Sequence, residues 1–298
     1  MNKQNSFEKD RATVYVVPTP IGNLEDITYR ALTTLRSVSL IAAEDTRNTK
    51  NLLRHFDIAT PLMSYHEHNK LARGEQLLTK IMQGESIALV SDAGMPAISD
   101  PGHELIQAAI QHDIPVVVLP GANAALCALV GSGLSAKEFY FYGFLPRKKK
   151  EKRIELQRLA SLQATLLFYE SPYRVKETLQ AISDVMGNRH VALARELTKR
   201  FESYLRGTAD EVIAYLDTAE IKGECCLVLE GETKAEQSDY LWWSSLTIVE
   251  HVEHYLNSES LSSKEAIKRV AKERELSKRE VYQKYHVREG GEEEEGKN

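Results

Sequence analysis

Residues 91–102 read Ser91-Asp92-Ala93-Gly94-Met95-Pro96-Ala97-Ile98-Ser99-Asp100-Pro101-Gly102. Gly94 lets backbone approach a ligand closely, Asp92 can accept hydrogen bonds, and Asp100 with Pro101 can start a helix. A structural turn accounts for the glycines and prolines but poorly for the whole string, which favours a loop that holds a ligand. Glu44-Asp45-Thr46-Arg47 pairs two carboxylates, candidate general bases, with an arginine suited to phosphate. A helix start with acidic residues in its first turn explains them equally well. Glu170, in Tyr169-Glu170-Ser171-Pro172, is likewise balanced between a catalytic carboxylate and a helix cap.

Cations stand in two further places, and a histidine pair in a third. Arg147-Lys148-Lys149-Lys150-Glu151-Lys152-Arg153 has six bases against one acid. It is either the exposed side of a helix or, with Tyr142-Gly143-Phe144-Leu145-Pro146 before it, an aromatic and basic rim for RNA. Arg195-Glu196-Leu197-Thr198-Lys199-Arg200 offers cations for phosphate, a solvated face being the competing account. Tyr65-His66-Glu67-His68-Asn69 puts two histidines on one side of an extended segment, yet no motif places a third or fourth ligand, so no metal is expected.

These residues need strands to position them. Thr13–Val17, Val38–Ala42, Ser86–Val90 and Pro115–Leu119 are short, β-branched and nearly continuous apolar runs, as in strands buried on both faces of a parallel sheet. Helical stripes lie between them: Ala31-Leu32 with Leu35, Leu52-Leu53, Leu77-Leu78 with Ile81, and Leu105-Ile106 with Ala109-Ile110. The loop at 91–102 therefore follows a strand, where open α/β sheets place ligands. No GxGxxG or GxxxxGK[ST] follows any of these runs, and Pro18-Thr19-Pro20-Ile21-Gly22-Asn23 after the first offers few free amides for a pyrophosphate.

A second set of strands, Phe139–Tyr142, Thr165–Tyr169, His190–Ala194 and Cys225–Leu229, with helices from about Pro172 to Val185 and Ala209 to Ala219, predicts another α/β layer of mixed strand direction. Gly231 to Ser238 reads as a polar linker. From Tyr240 to about His286 there is no strand pattern. Ser262 or Ser263 can cap one helix, and Ser277 with Glu280 at capping-box spacing a second. Lys264 to Arg288 holds nine bases against four acids, so this helix-turn-helix-like pair is either a nucleic-acid contact or a packed, solvated pair. The expected division is 11–121, 122–235 and 240–288, followed by an acidic tail at 289–298.

The net charge of −5 argues against a uniformly basic nucleic-acid binder, leaving local patches. The 3 cysteines, Cys127 and Cys225-Cys226, provide neither a disulfide framework nor CxxC spacing, and the pair reads as small buried strand residues. No apolar run approaches the roughly 20 residues that span a bilayer, and the start lacks a signal peptide's apolar stretch, so a cytoplasmic location is expected.

Five strings together, Ser91 to Gly102, Thr19-Pro20-Ile21-Gly22-Asn23-Leu24, Ala43-Glu44-Asp45-Thr46-Arg47, Pro120-Gly121-Ala122-Asn123 and Phe168-Tyr169-Glu170-Ser171-Pro172, carry a resemblance. From about Thr13 to His286 the chain resembles the methyltransferases of the tetrapyrrole methylase fold. More narrowly, it is similar to the bacterial branch that methylates the 2′-hydroxyl of a cytidine in 16S ribosomal RNA. The resemblance implies two α/β domains with S-adenosylmethionine in the cleft between them, a homodimer, and the small ribosomal subunit as partner.

Carried over by position, Pro18, Asp92, Gly94, Met95, Ile98, Asn123 and Ala124 would line one wall of the cofactor site, and Leu167, Leu197 and Glu224 the other. Methyl transfer from a sulfonium is an in-line displacement driven mostly by positioning. A ribose hydroxyl is a poor nucleophile, which leaves Glu44, Asp45 and Glu170 as candidates to help it. Arg47, His66, His68, Arg147, Lys148, Lys149 and Lys199 are the expected RNA contacts. The alternatives are methylation of a tetrapyrrole precursor, which has no use for the C-terminal helices, and a non-catalytic nucleic-acid-binding regulator, which predicts no cofactor binding.

Overall fold

The computed structural model describes residues 3–6, 11–233, 243, 246–259, 261–274 and 276–286. The acidic tail at 289–298 and the stretch at 234–242, most of the expected linker, lie outside them.

Strands β1 (Val14–Val16), β2 (Leu40–Ala43), β3 (Leu62–Ser64), β4 (Ile87–Val90) and β5 (Val116–Val118) form a wholly parallel sheet ordered β3-β2-β4-β1-β5. Helices α1 (Tyr29–Ser37), α2 (Thr46–His55), α3 (Lys70–Met82) and α4 (His103–Gln111) cross between them. The period-two alternation of β4 shows why the run is continuously apolar: Ala88 and Val90 pack with Leu35 of α1 and Leu53 of α2, while Ile87 and Leu89 pack with Ile81 of α3 and Leu105 of α4. Each such leucine or isoleucine, fully withdrawn from water, contributes roughly 1.5–3 kcal/mol. The short strand β3 escapes the sequence reading because it is a three-residue, half-buried edge.

The chain leaves β1 towards β2 on one side of the sheet, and leaves β4 towards β5 on the other. These two neighbours therefore bracket a topological switch, and a crevice opens at their carboxyl ends.

The second sheet is mixed. It comprises β6 (Phe139–Phe144), β7 (Thr165–Glu170), β8 (His190–Arg195), β9 (Ser203–Thr208) and β10 (Cys225–Leu229), ordered β6-β7-β10-β8-β9. Only β6 and β7 run parallel. Helices α6 (Lys149–Leu159), α7 (Val175–Met186) and α8 (Ala209–Thr218) cover one face around Leu166, Phe168 and Leu227. Helix α5 (Ala124–Ser132) covers the other, over Leu167, Ala192, Ala194, Cys226 and Val228. The polar edge strand β9 and the evenly apolar α5 both lack a clear sequence period, so neither was expected.

The basic run does form a helix, α6, but not wholly as a solvated face. Lys152 is only 1% exposed. Its ammonium lies 3.1 Å from the Thr178 hydroxyl and 3.3 Å from Glu177 Oε1.

Everything up to Thr233 forms one compact unit, and the following helices a second. The second unit contains α9 (Ile248–Ser258), α10 (Ser263–Glu273) and α11 (Lys278–His286) around Val252, Tyr255, Ile267, Val270 and Val281. Ser277 and Glu280 cap α11 reciprocally: the Glu280 N–H donates to Ser277 Oγ at 3.2 Å, and the Ser277 N–H donates to Glu280 Oε2 at 3.0 Å. Two of the nine bases counted here are structural. Arg269 pairs with Glu259 and Glu273, and Arg274 donates to the carbonyls of Trp243 and Leu246 while lying over the Trp243 ring. No described helix is long and apolar enough to cross a membrane.

Candidate active site

A cavity of about 380 Å³ opens between the two sheets, at the carboxyl ends of β4, β7 and β8 and the amino end of β10. Its walls are mostly apolar, with Ile21, Met95, Ile98, Phe144, Tyr169 and Leu197 facing a few polar groups. This is the build of a small-molecule site: apolar walls bury the ligand and a few polar groups orient it.

The first wall is the 91–102 loop. Gly94 sits at φ +80°, a conformation glycine adopts without a steric penalty, and an added Cβ would stand 3.2 Å from Ile21 Cγ2. Two backbone bonds, Thr19 N–H to Gly94 O at 3.0 Å and Gly94 N–H to Thr19 O at 2.9 Å, tie this loop to the one after β1. The two loops flanking the switch are thus held as one surface. Asn123 caps α5 by accepting from the Leu126 N–H at 3.0 Å, so the amino end of that helix opens onto the cavity beside Ala124.

Antiparallel pairing builds the opposite wall. Because β10 lies between β7 and β8, it brings Tyr169-Glu170-Ser171-Pro172, Ala194 with Leu197, and Gly223–Cys226 to one edge. Tyr169 packs edge-on against Phe141 and Phe144, with ring centroids 5.0 and 5.7 Å apart. Burial pushes the thiols of Cys225 and Cys226 up to about 11 and about 12, so both present neutral S–H groups as wall. The loop after β8 also contacts the first lobe. The Asn23 N–H donates to Thr198 Oγ1 at 3.0 Å, and a Cβ at Gly22 would collide with the Lys199 side chain.

Of the cofactor residues expected from sequence, Gly94, Met95, Ile98, Asn123, Ala124, Leu197 and Glu224 line the cavity. Pro18 is buried behind it, where Gly121 leaves room for its ring. Leu167 is fully buried in the core beneath α5. Asp92 stands outside the cavity and joins two elements: Oδ1 accepts the Asp45 N–H at 3.0 Å and Oδ2 accepts Asn48 Nδ2–H at 3.2 Å.

The three candidate carboxylates differ sharply. Asp45 caps α2 and takes the Arg47 guanidinium on both oxygens, which holds it down at about 2. Glu170, 3% exposed, accepts the Ser171 N–H on Oε1 at 2.8 Å and the Thr178 hydroxyl on Oε2 at 2.7 Å, with Arg174 Nε 3.4 Å from Oε1. Glu44 is raised to about 7, by burial first and then by the negative charges of Asp100 and Asp92. Asp100 lines the cavity and is itself shifted upwards, chiefly by burial. A general base is most effective near the working pH, and Glu44 at about 7 meets that condition, its side chain lying outside the cavity's lining.

The expected RNA contacts scatter. Arg47 is 88% exposed although paired with Asp45, and Lys149 is exposed on α6. Lys148, beside Lys149, pairs with Glu151. Arg147 is exposed just before α6. Lys199 is engaged by Glu196 and Glu224. His66 and His68 meet edge-on at 6.0 Å, with Asn69 Nδ2 3.1 Å from His66 Nε2. Among the described residues no group of three or more His, Cys, Asp or Glu side chains is arranged to hold a metal ion.

Tyr169 and Ala194 were not singled out from sequence as site residues, Phe144 was read only as part of an aromatic rim for RNA, and Asp100 only as a helix start. Tyr169 and Asp100 stood in the quoted strings, and only their strand-end positions pointed to the site.

Residues 13–213 match the family described as Tetrapyrrole (Corrin/Porphyrin) Methylases. The chain belongs to this family. Curated relatives of this methylase extend along nearly its whole length. The Ribosomal RNA small subunit methyltransferase I of Halalkalibacterium halodurans is 53% identical over 288 residues, covering 96% of this chain and 99% of the relative. The protein of that name from Bacillus subtilis is 52% identical over 291 residues, covering 97% and 99%.

Solved methyltransferases share the fold at low identity. A cobalt precorrin-4 methyltransferase aligns with a TM-score of 0.56 at 15% identity, covering 73% of this methylase and 94% of that chain. The uroporphyrin-III C-methyltransferase of Thermus thermophilus, complexed with S-adenosyl homocysteine, aligns at 0.53 and 18%, covering 74% and 97%.

Proposed function

We propose that this methylase transfers a methyl group from S-adenosylmethionine to the 2′-hydroxyl of a cytidine in the 16S RNA of the small ribosomal subunit. The observation that carries the reading is identity of 52 and 53%, nearly end to end, with relatives named for the ribosomal RNA of that subunit. A cytoplasmic location follows from such a substrate. When bound, S-adenosylmethionine supplies an electrophilic methyl group on a positively charged sulfur.

Gly94, Met95, Asn123 and Ala124 would hold its polar ends through backbone and cap groups. Ile98 and Leu197 would cover its apolar parts, and Glu224 would stand at the rim. Pro18 and Leu167 support these walls from behind, and Asp92 from the side. Glu44 accepts the proton of the ribose hydroxyl. Asp45 and Glu170, their oxygens already engaged, hold elements in position. Arg47, Arg147, Lys148, Lys149 and the His66–His68 pair face RNA, while Lys199 fixes the rim.

In the C-terminal unit, a groove between α10 and α11 lined by Lys264, Lys268, Lys278, Arg279 and Tyr282 supports a nucleic-acid contact. A homodimer is supported by α5, which is apolar all round yet leaves Leu126 47% and Val130 78% exposed. Val130→Glu should convert the dimer to a monomer in sedimentation velocity, and a wild-type monomer would remove this part of the proposal.

The deciding assay supplies labelled methyl donor with small subunits from cells lacking this chain, or with a precorrin. Label at one ribose in 16S RNA supports the proposal; label only in the tetrapyrrole overturns it. Failure to bind S-adenosylmethionine in calorimetry would instead favour a non-catalytic regulator. Gly94→Ala forces a Cβ onto a positive-φ backbone against Ile21. Strain of roughly 1–3 kcal/mol should weaken S-adenosylmethionine binding about tenfold in the same calorimetry.

A further inference from the structure

A second depression, of about 570 Å³, lies beside the cavity and shares Ile21 and Ala93 with it. Its outer wall is α2, through Asn48, Asn51, Arg54 and His55, and its inner end is Asp92. Between Thr46 and His55 the helix contains Arg47, Lys50, Arg54 and His55 but no acidic side chain. Thr49 and Leu53 are buried, while Arg47, Asn48, Lys50, Asn51, Arg54 and His55 are all exposed.

Arg54 Nη2 rests on Asn51 Oδ1 at 3.4 Å, and among the described residues no carboxylate pairs with it. Two amides, a guanidinium and an imidazole thus line the depression from α2, while Arg47 and Lys50 are exposed beyond its lining. From Asn48 to His55 this lining spans about 10 Å of axis, roughly three nucleotides at ~3.4 Å per nucleotide along a stacked strand. The inner end is close to Glu44, because Asp92 accepts from the Asp45 N–H next to it and contributes to raising the Glu44 carboxyl.

We infer that the α2 depression is the subsite for the RNA strand carrying the acceptor ribose, an assignment that rests on the RNA reading above. Arg54 within the depression, and Lys50 on the adjoining exposed face of α2, contact phosphates, Asn48, Asn51 and His55 hydrogen-bond to riboses and base edges, and the strand is thereby led towards Glu44. Amide and imidazole groups suit unstacked nucleotides, whose edges are open, better than a duplex.

The test is steady-state methylation of unmethylated small subunits by Arg54→Ala, Asn51→Ala and the Lys50→Ala/Arg54→Ala double variant. The double variant should raise KM for subunits at least tenfold, the loss falling on KM rather than kcat. The slope of log KM against log salt should shrink by about one per phosphate contact removed. Arg54→Lys should recover part of the loss, and the variants' affinity for S-adenosylmethionine should match the wild type by calorimetry. KM within twofold of an active wild type, or a KM loss accompanied by equal loss of S-adenosylmethionine affinity, overturns the subsite and leaves the proposed reaction standing. A wild-type protein that labels no RNA overturns the reaction itself.

Discussion

Glu44→Gln is expected to lower kcat/KM for RNA methylation by a hundredfold or more, the range lost when a general base is removed. Glutamine keeps the size and polarity of the side chain and removes only its ability to take a proton. The wild-type pH profile should report the same group. With Glu44 at about 7, the carboxylate is the minor form below that pH and the major form above it. The kcat/KM should therefore rise with pH up to about 7 and level off, and in Glu44→Gln that rise should vanish.

Stability should move the opposite way. A carboxyl whose folded pKa lies above its unfolded value of 4.5 favours the fold below 4.5, and that contribution is lost as pH rises through about 7. At pH 8 the ionised Glu44 opposes folding. Discounted for its access to water, relieving it should make Glu44→Gln more stable by about 1–2 kcal/mol at pH 8 and unchanged at pH 4. A variant that is slower yet more stable is what a strained functional group produces. Retention of more than a tenth of the activity would show that another group takes the proton.

Thr178→Val is expected to destabilise the protein by about 2–4 kcal/mol, read as a lower denaturant midpoint, with almost no change in side-chain volume. Thr178 is fully buried on α7 and stands between two charges. Its hydroxyl donates to Glu170 Oε2 at 2.7 Å and accepts from Lys152 Nζ at 3.1 Å. Valine leaves the buried carboxylate oxygen and the buried ammonium each short of a partner, and desolvation then goes uncompensated. Thr178→Ser should restore most of the loss, because it returns the hydroxyl at the cost of a methyl group. A loss below 0.5 kcal/mol would mean that the Lys152–Thr178–Glu170 chain contributes nothing to the fold.

The buried strands of the first sheet were legible because a strand covered on both faces must be apolar at every position, and the chain from Ser86 to Val90 is. The capping pair Ser277 and Glu280 was legible because its chemistry is local. Edge strands carry weaker patterns: β9, with Arg206 and Gly207, is recognisable mainly through its pairing with β8. Lys152 was counted among surface cations because nothing within Arg147–Arg153 tells that Thr178 and Glu177 will close over it.

The loop of Gly94 and Met95 at a strand end was determined by the sequence, since only local backbone chemistry and its position after an apolar run are involved. The second wall was decided by tertiary structure, because antiparallel β10 brings together residues near 170, 195 and 224 that no local spacing connects. The choice between adjacent carboxylates was likewise decided there. Glu44 and Asp45 are chemically alike as a sequence; the fold gives Asp45 a helix to cap and an arginine, and leaves Glu44 partly desolvated beside Asp92 and Asp100. Partners and burial set proton affinity, and both are properties of the folded chain.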